Sequence, residues 1–179
     1  MARLEAVGRL TSWAIPAGAC FVAFLMGVND VSAEQGFGEI KVQGSWAYTT
    51  RARESGTEYM ASIRAAEGST WFLLACRPDE RFTVSLIQTE QFPFPLKPSS
   101  SVQLRSNSVP TFSIEGKSIQ NHLIFLDPRP LRHVMPSIVQ DDQLVVSISD
   151  QNGTLHNYTF PIQPNDLALK PIRSGCFDY

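Results

Sequence analysis

The sequence lacks the short motifs of the common nucleotide-binding and hydrolytic sites. It has no Gly-rich phosphate loop, because Gly36-Phe37-Gly38 carries neither the rest of that pattern nor a preceding strand. It has no Gly-x-Ser-x-Gly nucleophile elbow. It also lacks a basic block and an acidic tail, and its formal net charge is −2. We therefore expect no nucleic acid as a partner.

Residues that ligate metals are few and carry no recognisable spacing. The three histidines, His122, His133 and His156, lack metal-ligand spacing, and no cysteine pair has zinc spacing. Glu115 and Asp127 could form the carboxylate pair of a hydrolase, but no pattern in the sequence places them together. We therefore predict no metal, no cofactor and no catalytic residue.

The longest apolar stretch is too short for a membrane anchor. Residues 1–33 begin with a basic region, continue with an apolar stretch over residues 13–28, and end in Val31-Ser32-Ala33, which suits signal-peptide cleavage. A spanning helix needs roughly 20 apolar residues. We predict cleavage of a signal peptide and no stable transmembrane anchor; a retained anchor and a lipoprotein modified at Cys20 are the alternatives. Residues 34–179 then form a single periplasmic or secreted domain.

Cysteine is scarce, with three residues in the chain. Removal of the leader takes away Cys20 and leaves Cys76 and Cys176. Two cysteines in an oxidising compartment indicate one disulfide. The alternative is two unpaired thiols, with Cys76 simply buried. Closing a loop of about 100 residues is worth roughly 4.7 kcal/mol in the chain-entropy model.

Turn residues and alternating apolar residues indicate a β fold. Between residues 59 and 86, two turns, Glu67-Gly68 and Pro78-Asp79-Glu80, separate three predicted strands. Side chains alternate between the two faces of a strand, so pairing the strands through these turns defines one apolar face. That predicted face consists of Tyr59, Ala61, Ile63, Ala65, Phe72, Leu74, Cys76, Phe82, Val84 and Leu86.

A second hairpin is predicted near the C-terminus. A two-residue turn at Asn152-Gly153 is one possibility, but a three-residue loop, Gln151-Asn152-Gly153, gives a uniformly apolar face. The three-residue loop aligns Leu144, Val146 and Ile148 with Phe160, Tyr158 and His156.

Other local signals complete the fold prediction. Gly116-Lys117 is a predicted turn. After Asp127, a possible cap, we predict a helix of at most two turns, or coil, across a sheet edge. Asn165 is the predicted cap of a short C-terminal helix over residues 166–170. With about eight short strands, the chain is predicted to be all-β, an antiparallel β-sandwich or open barrel with a short C-terminal helix.

One set of features is typical of a group of bacterial proteins. It consists of the leader, Trp46, Cys76, Thr159-Phe160-Pro161-Ile162, Asp166-Leu167-Ala168-Leu169, Ile172 and Cys176. In these features the chain resembles the small periplasmic β-sandwich proteins grouped with invasion-associated locus B and with type VI secretion accessory proteins. The likeness covers about half of the mature chain and implies a β-sandwich in the cell envelope. The paired cysteines of the invasion-associated branch are absent, and no functional residue is carried over.

A proline-aromatic segment over residues 92–98 is the candidate binding element. Pro93 and Pro95 alternate with Phe92 and Phe94 and favour a stiff polyproline II backbone. Exposed, the two rings could bind a partner at low entropic cost. Buried, they would lie beneath a sheet-to-sheet crossover, which we expect for at least one ring.

The functional hypothesis is an exported, non-enzymatic protein that binds an envelope protein partner. A small hydrolase or inhibitor module with a loop-built site is one alternative. A small-ligand binder that uses the sandwich interior is another. Asn152 and Asn157 fit the glycosylation sequon, which matters only in a eukaryotic secretory route.

Overall fold

The computed structural model describes residues 38–77, 79, 82–163 and 167–177. The predicted signal peptide, Cys20, Asn165 and Asp166 lie outside these residues. Within the described part, ten antiparallel strands account for most of the regular structure, where about eight were expected. They are β1 (Lys41–Gln43), β2 (Trp46–Arg53), β3 (Gly56–Arg64), β4 (Thr70–Cys76), β5 (Phe82–Gln88), β6 (Ser99–Ser106), β7 (Phe112–Ile119), β8 (Leu123–Leu126), β9 (Gln143–Ser149) and β10 (Leu155–Pro161).

The strands form one bent sheet in the order β1-β2-β3-β4-β5-β8-β7-β6-β9-β10. The bend brings β10 to the end of β3, where the Ala66 N–H donates to the Thr159 carbonyl at 2.8 Å. The Thr159 N–H in turn donates to the Glu67 carboxylate at 3.1 Å. The sheet is not closed into a barrel, and its two halves pack as a sandwich around one core. The predicted all-β sandwich is therefore confirmed.

The predicted register of β3, β4 and β5 is confirmed. Ile63 lies opposite Phe72, and Leu74 lies opposite Val84. The inward side chains of these strands are buried, as alternation requires. The opposite face of these strands is also largely buried, as at Ser62, Trp71 and Ile87. The short turns and the alternation of side chains therefore set the register together.

The three-residue loop of the late hairpin is also confirmed. The Asp150 N–H donates to the Thr154 carbonyl at 3.0 Å, which leaves residues 151–153 as the loop. Gly153 has a φ of 84°, a conformation that glycine adopts without strain. Tyr158 lies opposite Val146 as expected.

The turn predicted at Gly116-Lys117 is wrong, because β7 continues through it. The chain turns instead at Gln120 and Asn121, whose φ values are 50° and 56°. Gly116 is needed for close packing and not for a turn. A Cβ atom there would lie 2.5 Å from Cγ2 of Ile124. Glycine inside a strand commonly marks such a close approach.

The helix after β8 is longer than predicted. It is α1 (Pro128–Ile138), and the carboxylate of Asp127 caps it by accepting the Arg129 N–H at 3.1 Å. Pro130 lies in the first turn, where N–H groups need no partner within the helix. Pro136 removes one hydrogen bond from the last turn, where burial of Met135 and Ile138 holds the helix in place. The helix packs against β5, an inner strand, and not across a sheet edge.

The C-terminal segment is joined to β4 by the predicted disulfide. It comprises a 3-10 turn (Leu167–Leu169), α2 (Lys170–Ile172) and a π-helical turn (Arg173–Phe177). The Cα atoms of Cys76 and Cys176 lie 5.9 Å apart, and the bond spans 100 residues of sequence. Pro171 does not end the helical segment, because it lies in the first turn of α2. No helix of the described residues is long and apolar enough to cross a membrane.

The close packing at Gly116 can be tested directly. Gly116→Ala should lower the free energy of unfolding by about 1–3 kcal/mol, because the new methyl group collides with Ile124 and must displace it. Urea denaturation measures the change. Lys117→Ala, on the exposed face of the same strand, should stay within about 0.5 kcal/mol. Equal losses at the two positions would contradict the packing described for β7.

Candidate functional site

An open groove lies between the β7–β8 hairpin and the start of α1. Its volume is about 460 Å³, within the range of ligand sites. Strand pairing places Lys117 opposite Phe125. A backbone hydrogen bond of 3.1 Å from Asp127 to Glu115 joins the start of α1 to β7. The groove is lined by Glu115, Lys117, Phe125, Asp127, Pro128 and Arg129.

One side of the groove continues into an apolar surface on the outer face of the hairpin. Phe125 is 42% exposed and Ile119 is 46% exposed. Leu123 is partly exposed and lies opposite Ile119. We call these three residues the apolar stripe. Ile124 and Leu126, the alternate residues of β8, face the core. Because successive side chains of a strand point to opposite faces, Leu123 and Phe125 face outward.

Glu115 and Asp127, which could form a carboxylate pair but were not predicted to lie together, both line this groove. Glu115 accepts a hydrogen bond of 2.6 Å from the Ser99 hydroxyl. Asp127 accepts hydrogen bonds from the Arg129 guanidinium, the shortest at 2.7 Å. The side-chain hydrogen bond from Arg129 lowers the pKa of Asp127, and the same bond raises the pKa of Arg129. A general acid needs a raised carboxyl pKa, so this environment favours a structural role for Asp127.

The groove also contains basic side chains. The Lys117 side chain makes no hydrogen bond or ion pair with another described residue, and Lys117 lies opposite Phe125 in the strand pairing. A second depression of about 300 Å³ adjoins the groove and is lined by Pro128, Arg129, Arg132 and His133. The start of α1 thus places basic side chains beside the carboxylates of the groove.

The proline-aromatic segment is a crossover with buried rings. It leads from β5 to β6, which are separated in the sheet by β8 and β7. Phe92 is 3% exposed and Phe94 is 7% exposed, whereas Pro93 and Pro95 face outward. The expected burial is thus confirmed for both rings. Binding of a partner by this segment stays a prediction.

Asn121 holds the crossover in place, a role that the sequence analysis did not predict. Its Nδ2 group donates to the carbonyls of Phe92 and Phe94 at 3.0 and 3.2 Å. Its Oδ1 atom accepts the Leu96 N–H at 2.9 Å. The sequence signal is the asparagine itself, because asparagine is enriched at positive φ and Asn121 adopts that conformation.

His156 links the crossover to the late hairpin. Its ring stacks on Phe94, with centroids 3.6 Å apart and an interplanar angle of 11°. Its Nε2 atom lies 3.0 Å from Oδ2 of Asp150. The other carboxylate oxygen of Asp150 accepts the N–H groups of Asn152 and Thr154 at 2.8 and 2.9 Å. The hydrogen bond with His156, followed by these backbone bonds, lowers the pKa of Asp150.

The remaining histidines lie apart from this pair. His122 is in the β7–β8 turn and His133 is exposed on α1. Among the described residues, no group of three or more His, Cys, Asp or Glu side chains could hold a metal ion.

Removal of the two buried rings should destabilise the fold. Phe92→Ala and Phe94→Ala should each lower the free energy of unfolding by about 3–5 kcal/mol, because each leaves a cavity in the core. Urea denaturation measures both variants and their combination. Pro93→Ala, at an exposed position between them, should change stability by at most about 1 kcal/mol. A melting temperature unaffected by the double phenylalanine change would contradict the burial.

Asp150 should contribute stability that depends on pH. Its pKa is lower in the folded chain than in the unfolded chain, so its contribution is present above about pH 4. The contribution is lost as the pH falls through the folded-state pKa. Asp150→Asn should therefore lower the urea midpoint at pH 7, and the difference from the parent should shrink toward pH 3. A constant difference across this range would contradict the assignment.

Comparison with models of known protein families finds no match, and neither the curated proteins nor the solved structures contain a match to this chain.

Proposed function

We propose that the chain is an exported envelope protein, periplasmic or secreted, that acts by binding a partner protein and not by catalysis. We place the binding surface at the groove between β7, β8 and α1. The observation that carries this proposal is the exposed ring of Phe125 in a concave site with charged walls. Exposed apolar surface within a polar rim is typical of interaction sites.

The disulfide supports an extracytoplasmic location. Disulfides persist in oxidising compartments and are rare in the cytosol. The bond between Cys76 and Cys176 agrees with the signal peptide predicted over residues 1–33. The proposed resemblance to small periplasmic β-sandwich proteins supports the same location.

Packing of the core favours binding outside the sandwich over binding within it. Phe72 from one half of the sheet meets Phe160 from the other, with ring centroids 5.7 Å apart. Leu74, Leu104 and Val146 are completely buried in the same core. Side chains thus occupy positions that an interior ligand would take. The groove is the better-supported site because its lining is accessible.

Site-specific photo-crosslinking in a host that exports the protein tests this function. Phe125→p-benzoylphenylalanine should give a discrete adduct with one partner protein in the exported fraction, because that side chain lies in the groove. Leu155→p-benzoylphenylalanine is the matched control, since Leu155 is equally exposed but lies on β10. The exported protein should begin at Glu34 on N-terminal sequencing.

Two results would contradict the proposal. The same set of adducts from both positions, or none from Phe125, would remove the groove as a binding surface. A mature protein that still began at Met1 would remove the predicted export.

A further inference from the structure

We infer that the groove takes an acidic segment of the partner protein, with an apolar side chain of that segment packed on Phe125. This inference rests on the proposed function and names the chemistry of its partner. Three features of the groove lead to it: an accessible apolar surface, carboxylates that already have donors, and basic groups that retain donors.

The apolar stripe provides the contact for a side chain. Phe125 and Ile119 each expose more than two fifths of their surface, and Leu123 joins them across the hairpin. An aromatic or branched aliphatic side chain removes this surface from water when it packs there, which is the main source of affinity in such contacts.

The two carboxylates of the groove accept hydrogen bonds within the chain. The Ser99 hydroxyl donates to Oε1 of Glu115 at 2.6 Å. The Arg129 guanidinium and backbone N–H both donate to Asp127. A basic ligand would therefore have to compete with Arg129 for Asp127.

The basic groups keep donors for an incoming carboxylate. Asp127 engages the Nε and one Nη2 hydrogen of Arg129, out of the five N–H donors that a guanidinium carries. Arg129 is 87% exposed, so its other donors are accessible. The Lys117 side chain makes no hydrogen bond or ion pair with another described residue, and Lys117 lies opposite Phe125 in the strand pairing. A carboxylate therefore meets Lys117 and Arg129 while its neighbouring apolar side chain covers Phe125.

The shape of the site favours a protein segment over a membrane surface. A groove of about 460 Å³ accommodates one or two side chains below the surrounding surface. A flat bilayer does not enter such a concavity.

Fluorescence anisotropy with synthetic peptides and the purified exported protein tests the inference. The probes are short fluorescein-labelled peptides with one Phe or Leu flanked by Asp and Glu. A matched set carries Asn and Gln in place of the acids, and another carries Lys. The acidic set should bind saturably, more tightly than either matched set, and more weakly as NaCl is raised.

Variants of the protein locate the binding. Lys117→Glu should weaken the acidic peptides about five- to tenfold, because one attractive contact becomes repulsive. Phe125→Ser should weaken them by a similar factor and leave the salt dependence unchanged. Lys41→Glu makes the same charge change at an exposed position on β1 and should leave affinity at the parent value. Circular dichroism confirms that each variant is folded.

Several outcomes would overturn the inference. Equal binding of the acidic and neutral sets, an absence of saturable binding, or equal losses in Lys117→Glu and Lys41→Glu would each do so. Binding of phosphatidylglycerol vesicles that is lost in Lys117→Glu, without peptide binding, would identify a membrane site instead. Crosslinking from Phe125 and peptide binding can also give different answers. If Phe125 gives an adduct but the acidic peptides do not bind, the binding function stands and only the acidic nature of the partner is rejected.

Discussion

The covalent bond between Cys76 and Cys176 is the constraint on which one end of the sandwich depends. The C-terminal segment after residue 167 is short and has only a few buried side chains to hold it. The disulfide removes chain entropy from the unfolded state, and its long loop makes that effect large, roughly 4.7 kcal/mol. The π-helical turn at Cys176 packs against α1, the helix whose first turn contributes Pro128 and Arg129 to the groove. The bond thus anchors a segment on which α1 packs.

Local pattern and turn chemistry were sufficient to predict the central register. In β3, β4 and β5, apolar residues alternate and short turns fix the pairing, so one face can be buried in a single way. The late hairpin was predictable for the same reason, because only the three-residue loop aligned Val146 with Tyr158. The predicted disulfide followed from having two cysteines outside the leader.

Polar partners could not be predicted, because alternation carries no information about which polar groups meet across the fold. Glu58 was not predicted to be buried, yet it is 3% exposed and forms 2.8 Å ion pairs with Arg53 and Arg77. Burial raises its pKa, but the hydrogen bonds from the two arginines outweigh this effect and lower it. The meeting of Glu115 with Asp127 likewise depends on the path of β7, which the misassigned turn at Gly116 concealed.

The contact between β10 and the end of β3 bears on how copies of the chain meet one another. Exposed sheet edges invite intermolecular strand pairing and aggregation. At β10, the N–H and carbonyl of Thr159 are already used by Glu67 and Ala66, and Pro161 has no N–H to offer. At the opposite edge, β1 has only three residues. Neither described edge therefore presents a long unpaired row of backbone groups, and this disfavours pairing of strands from two molecules.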